Sequence, residues 1–263
     1  MSGKRKPLKT CHNTTDSDRA APQVGAFGRR LFHSLKRTPL HPQWIALRDE
    51  EPHLRALAGL VHGRVLEIGS GNRRLEKYLR ADTRYIGLDY PPSGQRYGGR
   101  PDVWGDAACL PFRECTMDGV VMLEVLEHLP DPRIALMEAS RVVTPIGWVL
   151  LSFPFLYPIH DAPYDFSRFT QFGLQQMAAD AGLELIRLTE RGGAAEAAAL
   201  MASLALAKMA LQSIEERRLA ALAVLPLTLL VPLINMAGWF LSRIIPVKQF
   251  MPTGYVAVLR KKA

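Results

Sequence analysis

The run Val65-Leu66-Glu67-Ile68-Gly69-Ser70-Gly71-Asn72 constrains this chain more than any other stretch. It is an apolar segment that ends in an acid and a Gly-x-Gly turn, and Ile86-Gly87-Leu88-Asp89 follows with a second acid. A strand closing on a glycine turn, with an acid roughly 20 residues further on, is how the edge of a parallel sheet receives a nucleotide-containing ligand. The glycines let backbone approach the ligand closely, and Asp89 is placed to hold ribose hydroxyls. An adenosine-containing cofactor is expected.

The residues after the glycines narrow the choice. A dinucleotide fingerprint needs a small sixth residue so that helix and strand can pack around a pyrophosphate. Here that position is Arg74, preceded by Arg73, so a cofactor without a pyrophosphate fits better. Further motifs follow in order: Gly105-Asp106-Ala107-Ala108-Cys109-Leu110-Pro111-Phe112, then Asp118-Gly119-Val120-Val121, continued by Glu124-Val125-Leu126-Glu127-His128-Leu129. From Arg64 to Pro130 the chain resembles class I S-adenosylmethionine-dependent methyltransferases, in the large branch that acts on small molecules. The resemblance implies S-adenosylmethionine as cofactor. It assigns Glu67 to the methionine-side ammonium, directly or through water, and Gly69, Ser70 and Gly71 to close backbone approach. Asp89 goes to the ribose, Asp106 to the adenine amine and the Ala107 backbone to the adenine ring. Glu124 is either a further cofactor contact or a plain solvent-facing acid. Arg73 departs from the family pattern and leaves the path of the first loop open.

Strands are expected at Arg64–Ile68, Tyr85–Asp89, Val103–Trp104, Gly119–Leu123, Trp148–Phe153 and Leu183–Leu188, alternating with helices. Asp49, Asn72, Asp131 and Thr170 are the expected helix caps, and Pro145-Ile146-Gly147 an expected turn before the fifth strand. The alternation predicts an α/β fold, a doubly wound Rossmann-like sheet whose ligands sit at the carboxyl ends of the strands. The resemblance adds an antiparallel seventh strand beside the fifth, and Gly254-Tyr255-Val256-Ala257-Val258-Leu259 looks like it. Four segments result: a basic, mostly disordered tail at 1–43, a cofactor-binding core at 44–191, an apolar helical hairpin inserted at 192–250, and the last strand with a basic C-terminus at 251–263.

The net charge of +8 is unevenly spread: +7 over residues 1–40, −4 over 41–193 and +5 over 194–263. An acidic core repels a polyphosphate, which argues against nucleic acid. Basic ends beside apolar helices suit an anionic membrane surface, at about 1 kcal/mol per Lys or Arg; the tail read alone is equally a solvated one. In the insertion, Ala194–Ile214 is rich in Ala and Leu, and Leu219–Leu241 carries no charge. The second stretch is long enough to cross a bilayer. Pro226 and Pro232 interrupt it, however, and one crossing would separate the last strand from its sheet. Glu196 and Lys208 are costly at a bilayer centre, so a hairpin lying in the interface through 194–246 is expected. A dimer interface, a lid over an apolar substrate and extra packed helices are the alternatives, and oligomeric state stays open. The expected location is the cytoplasm, peripheral at the inner face of its membrane: Lys4, Arg5, Lys6 and Lys9 precede no apolar run, and Cys11, Cys109 and Cys115 have neither disulfide-framework nor zinc spacing.

Methyl transfer from a sulfonium is an in-line displacement, so the protein mainly aligns acceptor and methyl carbon. After the fifth strand, Pro154 to Thr170 is a loop dense in aromatic and ionisable residues. It is similar to the H-x-x-P-x-D-[YF]-x-R-[YF]-T segment of methyltransferases from surface-polysaccharide and lipid-linked glycan gene clusters. The acceptor class expected is a small molecule, sugar or lipid-linked glycan, with a quinone or lipid as the rival. A nicotinamide-dependent reductase and a non-catalytic cofactor-binding module are the readings from other classes. For a hydroxyl acceptor, His160 or His128 is the candidate general base, against a role tying the loop by hydrogen bonds. Asp165 and Arg168 form either a local ion pair or a substrate anchor.

Overall fold

The computed structural model describes residues 35–92, 98–216, 219–247 and 249–262. Its strands are β1 (Arg64–Ile68), β2 (Arg84–Asp89), β3 (Val103–Trp104), β4 (Met117–Leu123), β5 (Val143–Pro154), β6 (Leu183–Arg191) and β7 (Gly254–Lys261). Among the described residues they form one seven-stranded sheet of order β3-β2-β1-β4-β5-β7-β6. The pairings from β3 through β5 are parallel, and β7 runs antiparallel to both β5 and β6. The antiparallel last strand lies beside the fifth, as expected. Side chains alternate across the sheet with period two. Leu66, Ile68, Val120 and Met122 enter the core on one face, and Val65, Val121 and Leu150 enter the core on the other. Burial on both faces is what gives β4 its apolar run from Gly119 to Leu123.

The flanking helices are α1 (Trp44–Leu47), α2 (Glu50–Ala58), α3 (Pro132–Val142) and α4 (Gln171–Asp180). Two expected caps are made: Asp131 accepts from Arg133 N at 3.1 Å with Pro132 in the first turn, and Thr170 Oγ1 accepts from Gly173 N at 3.1 Å. Asp49 precedes α2 without a side-chain capping bond. The helix expected after Asn72 is reduced to one 3-10 turn at Glu76–Tyr78. Arg73 adopts a left-handed φ of 53° and is held there by ion pairs to Glu76 and Asp102, which prevents a regular helical start. Ile146, at φ 62°, likewise makes Pro145-Ile146-Gly147 a bulge inside a longer β5: the partner of Met117 is Val143, that of Gly119 is Trp148.

The insertion folds as α5 (Ala194–Glu215), α6 (Ala221–Leu227) and α7 (Val231–Ile244). A 3-10 turn at Thr228–Leu230 lies between Pro226 and Pro232, where the missing backbone donors interrupt the helix. α5 and α7 pack closely: a Cβ on Gly238 would lie 2.4 Å from Ala199 Cβ. Ser203 Oγ donates to Asn235 Oδ1 at 3.0 Å, and Asn235 Nδ2 donates to the carbonyls of Pro39 (2.8 Å) and His41 (3.1 Å). Residues 35–43 are therefore built into the fold, contrary to a tail reaching Trp44. Residues 1–34, where the rest of that tail falls, lie outside the described residues. Glu196 is buried, accepts from Gly193 N and pairs with Arg48 at 2.5 Å. Its charge faces protein, away from the apolar outer face.

Because β7 is antiparallel to both its neighbours, β6 runs in the direction of β5, and Arg191 at its end pairs with Gly254 at the start of β7. The insertion thus leaves and rejoins the sheet at the edge where β1, β4 and β5 end.

Candidate active site

The chain moves outward from β1 to β2 and β3, then crosses back to β4 on the other side of β1. This reversal opens a crevice at the carboxyl ends of β1 and β4. The Gly69–Gly71 turn and the Glu124–His128 segment are the loops that border it.

A cavity of about 380 Å³ occupies the crevice. Gly69, Gly71, Asp89, Asp106, Ala107 and Glu124 all line it. Gly69 has φ 73°, and a Cβ there would lie 2.5 Å from Val125 Cγ2; Gly71 has φ 46°, and a Cβ there would project into open space. Glycine is required at 69 by the Val125 contact, and at 71 it adopts the left-handed conformation without strain. Asp89, at the end of β2, is buried and accepts from Gly71 N (3.0 Å) and Tyr90 N (2.9 Å). Burial raises its pKa above the ordinary carboxylate value, against the pull of those two donors. Asp106 accepts from Ala108 N at 2.8 Å, which shapes the turn around Ala107. A buried acid over a glycine cradle, with an Asp–Ala turn opposite, fits an adenosine-containing group.

Two expected cofactor residues stand apart from this lining. Ser70 is buried with an unpartnered hydroxyl, and Glu67 is buried against Tyr85, whose hydroxyl donates to it in a short hydrogen bond. Alternation along β1 puts Glu67 on the face opposite Ile68, which does line the cavity. Desolvation raises the Glu67 pKa to about 7, with the Tyr85 bond and the Arg74 and Arg73 charges acting the other way. An acid with a folded-state pKa above its unfolded value loses stability as pH rises from the unfolded pKa towards the folded one. Glu67→Gln, which keeps an acceptor for Tyr85, is expected to raise thermal stability at about pH 8 by some 1–3 kcal/mol and to change little near pH 4. Melting curves at the two pH values check this, and an equal effect at both would mean that Glu67 titrates normally. Arg73 also turns away from the cavity: it pairs with Glu76 and Asp102 and stacks 4.7 Å above Tyr85.

A second cavity of about 310 Å³ lies under α1 and α2, lined in part by Glu50, His53, Arg74, Tyr157, His160 and Arg191. Glu124, His128 and Asp161 line both cavities and mark where they meet. Glu124 has φ 55°, a strained conformation for a non-glycine residue, and its Oε1 accepts from Ser152 Oγ (2.7 Å) and Arg191 Nη1 (2.8 Å). It is a paired acid at the junction, with 39% of its side chain still exposed. Arg74, which excludes a dinucleotide in sequence terms, pairs with Glu50 on the wall of the second cavity.

The loop after β5 brings its two histidine candidates together. His128 and His160 meet edge to face at 4.8 Å. His128 Nδ1 bonds the Tyr164 carbonyl at 2.7 Å, and His160 Nδ1 lies 3.3 Å from both the Pro158 carbonyl and Asp165 Oδ2. Asp165 and Arg168 line neither cavity. Arg168 grips Asp165 through two bonds of 2.5 and 2.8 Å and holds the Asp165 carboxyl well below the usual carboxylate range. It also donates to the Ser167, Tyr157 and Pro158 carbonyls. These contacts favour the ion-pair role over a substrate anchor. Sequence reasoning passed over Arg191, at the far end of β6, and Glu127, whose buried carboxyl is pushed up to about 9 by burial first and by the Glu124 charge second. The Glu-x-x-Glu-His spacing at 124–128 was the available signal for Glu127.

Residues 66–151 match the family model described as a methyltransferase domain. An enzyme named ubiquinone biosynthesis O-methyltransferase from Bordetella avium is 29% identical over 126 residues, covering 43% of this chain and 48% of its own. An uncharacterised methyltransferase of Mycobacterium tuberculosis is 30% identical over 118 residues, covering 42% and 43%. The chain thus spans less than half the length of these curated relatives. Among solved structures, a Galdieria sulphuraria protein described as a candidate sarcosine dimethylglycine methyltransferase superposes with a TM-score of 0.50 at 16% identity, covering 84% of this chain and 85% of that one. That likeness is one of fold.

Proposed function

We propose that residues 66–151, which match a methyltransferase-domain model, form a class I S-adenosylmethionine-dependent methyltransferase domain, and that the protein methylates a hydroxyl of a sugar or lipid-linked glycan presented at a membrane surface. The observation that carries the reading is the pair of neighbouring cavities that share Glu124, His128 and Asp161 in their lining. A transferase needs two sites whose contents touch, whereas a cofactor-binding module needs one.

When bound, S-adenosylmethionine supplies an electrophilic methyl group on a sulfonium that departs as a neutral thioether. Asp89 would hold its ribose, Gly69 and Gly71 would allow the backbone to approach it closely, and Asp106 with Ala107 would receive its adenine. The second cavity holds the acceptor with its hydroxyl aimed at the junction, and the acceptor's proton leaves towards the His128 and His160 side. Arg74, Arg191, His53 and Glu50 give this cavity a polar lining, which suits a hydroxyl-rich head group. A quinone acceptor is the second reading, favoured by the name of the Bordetella relative.

Membrane contact draws on the insertion. Both α5 and the α6–α7 stretch are long and apolar enough to cross a membrane by length and composition. Leu222, Leu229, Leu233, Phe240 and Ile245 stand more than half exposed on α6, α7 and the connections around them, an apolar surface of the kind that an interface buries. The insertion joins the sheet at Arg191 and Thr253, which line the second cavity. A lipid-linked acceptor lying in the membrane would therefore reach the cavity from the side on which the apolar helices sit. Arg243, stacked 3.9 Å above Trp239, adds a cation at that surface.

The full-length protein is expected to float with anionic vesicles at low salt. Leu229→Glu combined with Phe240→Glu should abolish flotation without weakening S-adenosylmethionine binding. A wild-type protein that stays in the soluble fraction with anionic vesicles refutes the membrane reading. Incubating cell-envelope extracts with methyl-labelled cofactor tests the acceptor: label in a glycan fraction supports the first reading, and label in a quinone fraction the second.

A further inference from the structure

We propose that Glu127, His128 and His160 together bind one first-row divalent cation, of the zinc or manganese kind, beside the junction of the two cavities. The first observation is Glu127 itself. Its side chain has no solvent exposure, and neither carboxyl oxygen has a hydrogen-bond partner. A buried acid left without partners is costly, and native interiors rarely keep one without a ligand to satisfy it.

The second observation is what faces that carboxyl. Glu127 Oε1 lies 3.6 Å from His128 Nε2 and 3.9 Å from His160 Nε2. These separations are too long for direct hydrogen bonds. Three ligands each about 2.0–2.2 Å from a common tetrahedral ion stand about 3.4 Å apart, so the two Glu127 separations need a contraction of only a few tenths of an ångström. All three ligand atoms already lie within 4.8 Å of one another.

The third observation is how the rings are held. A metal-ligating histidine commonly gives its other ring N–H to a carbonyl or a carboxylate, which fixes the tautomer and leaves the remaining nitrogen free to ligate. His128 does this through Tyr164 O at 2.7 Å. His160 places Nδ1 between Pro158 O and Asp165 Oδ2, and Arg168 fixes Asp165 in turn. The Asp165–Arg168 pair thereby gains a purpose as the support behind one ligand. Asp161 Oδ2, 3.9 Å from His128 Nε2, offers an oxygen on the cavity side. Two imidazoles and one carboxylate select a borderline first-row ion over magnesium or calcium, which favour oxygen donors throughout.

Resting on the methyl-transfer reading, the cation would hold the acceptor's hydroxyl oxygen at an open position and make its proton easier to lose to solvent, the two imidazoles then serving as ligands in place of bases. Binding is tested without cofactor or acceptor. Chelator-treated full-length protein, titrated calorimetrically with Zn²⁺ and separately with Mn²⁺, should show one site per chain, and Co²⁺ should give visible absorption from a nitrogen–oxygen ligand set. Glu127→Gln and His160→Ala should each weaken uptake at least about tenfold, and Asp165→Asn by about 10–100-fold. His160 is partly exposed in a loop, so its variant serves if Glu127→Gln fails to fold. No uptake by the wild type, or uptake undiminished in His160→Ala, overturns the proposal. S-adenosylmethionine binding measured in parallel separates the two ideas: cofactor binding without metal uptake defeats only the cation site, and metal uptake without cofactor binding defeats only the methyl-transfer reading.

Discussion

His128→Ala is expected to lower turnover by about 10²–10⁴ while leaving S-adenosylmethionine affinity within about twofold. His128 is one of three residues shared by both cavities, and its Nδ1 is committed to Tyr164 O, so only Nε2 faces the junction. Asp89 and Asp106 are held by backbone donors and make no bond to the His128 ring, so its loss should leave them in place. His160→Ala is expected to act in the same direction, since its ring meets His128 edge to face and lines the second cavity. Arg168→Ala should behave differently. Its bonds are to Asp165 and three loop carbonyls, so it should lower the melting temperature, as Asp165→Ala should, with no selective rise in KM for an anionic acceptor. The measurement is turnover with the acceptor identified from labelled envelope extracts. Unchanged turnover in His128→Ala would remove it from the chemistry and leave alignment alone to account for the rate.

Asp89→Ala is expected to weaken S-adenosylmethionine binding by about 1.5–3 kcal/mol, roughly 10- to 150-fold. The carboxylate is buried at the cavity wall and already oriented by Gly71 N and Tyr90 N. Its bonds to ribose hydroxyls would be charge-assisted and shielded from water. Asp89→Asn should fall between, because an amide keeps one acceptor and loses the charge. NAD is expected not to bind. Calorimetry giving tight NAD binding and none with S-adenosylmethionine would sink the cofactor assignment for this chain.

Much of this site was legible because its information is local. Gly69, Gly71 and Asp89 sit at ends of strands whose apolar runs announce themselves, and the Asp106-Ala107 turn is closed by its own neighbours. Asp131-Pro132 and Thr170 mark helix starts through bonds that span two or three residues. Local reading failed where a long-range partner outweighed propensity. Arg73 is held in a left-handed conformation by Asp102, 29 residues away, and that pull replaces a helix with a turn. Residues 35–43 look like tail until Asn235 reaches their carbonyls from almost 200 positions later. Glu67 looked like a cavity acid, yet the alternation of β1 turns it towards Tyr85.

The sequence by itself determined the class of sheet, the glycine turn and buried acid that line the first cavity, and the apolar character of the insertion, since apolar period, glycine turns and charge distribution are properties of short stretches. Only the tertiary structure decided that Arg191 pairs with Glu124, that Glu127 lies unpartnered between two imidazoles, and that the insertion joins the sheet at the edge that holds the cavities. These relations depend on strand order and direction, which bring residues from separate loops to one edge. No pattern within a single segment encodes them.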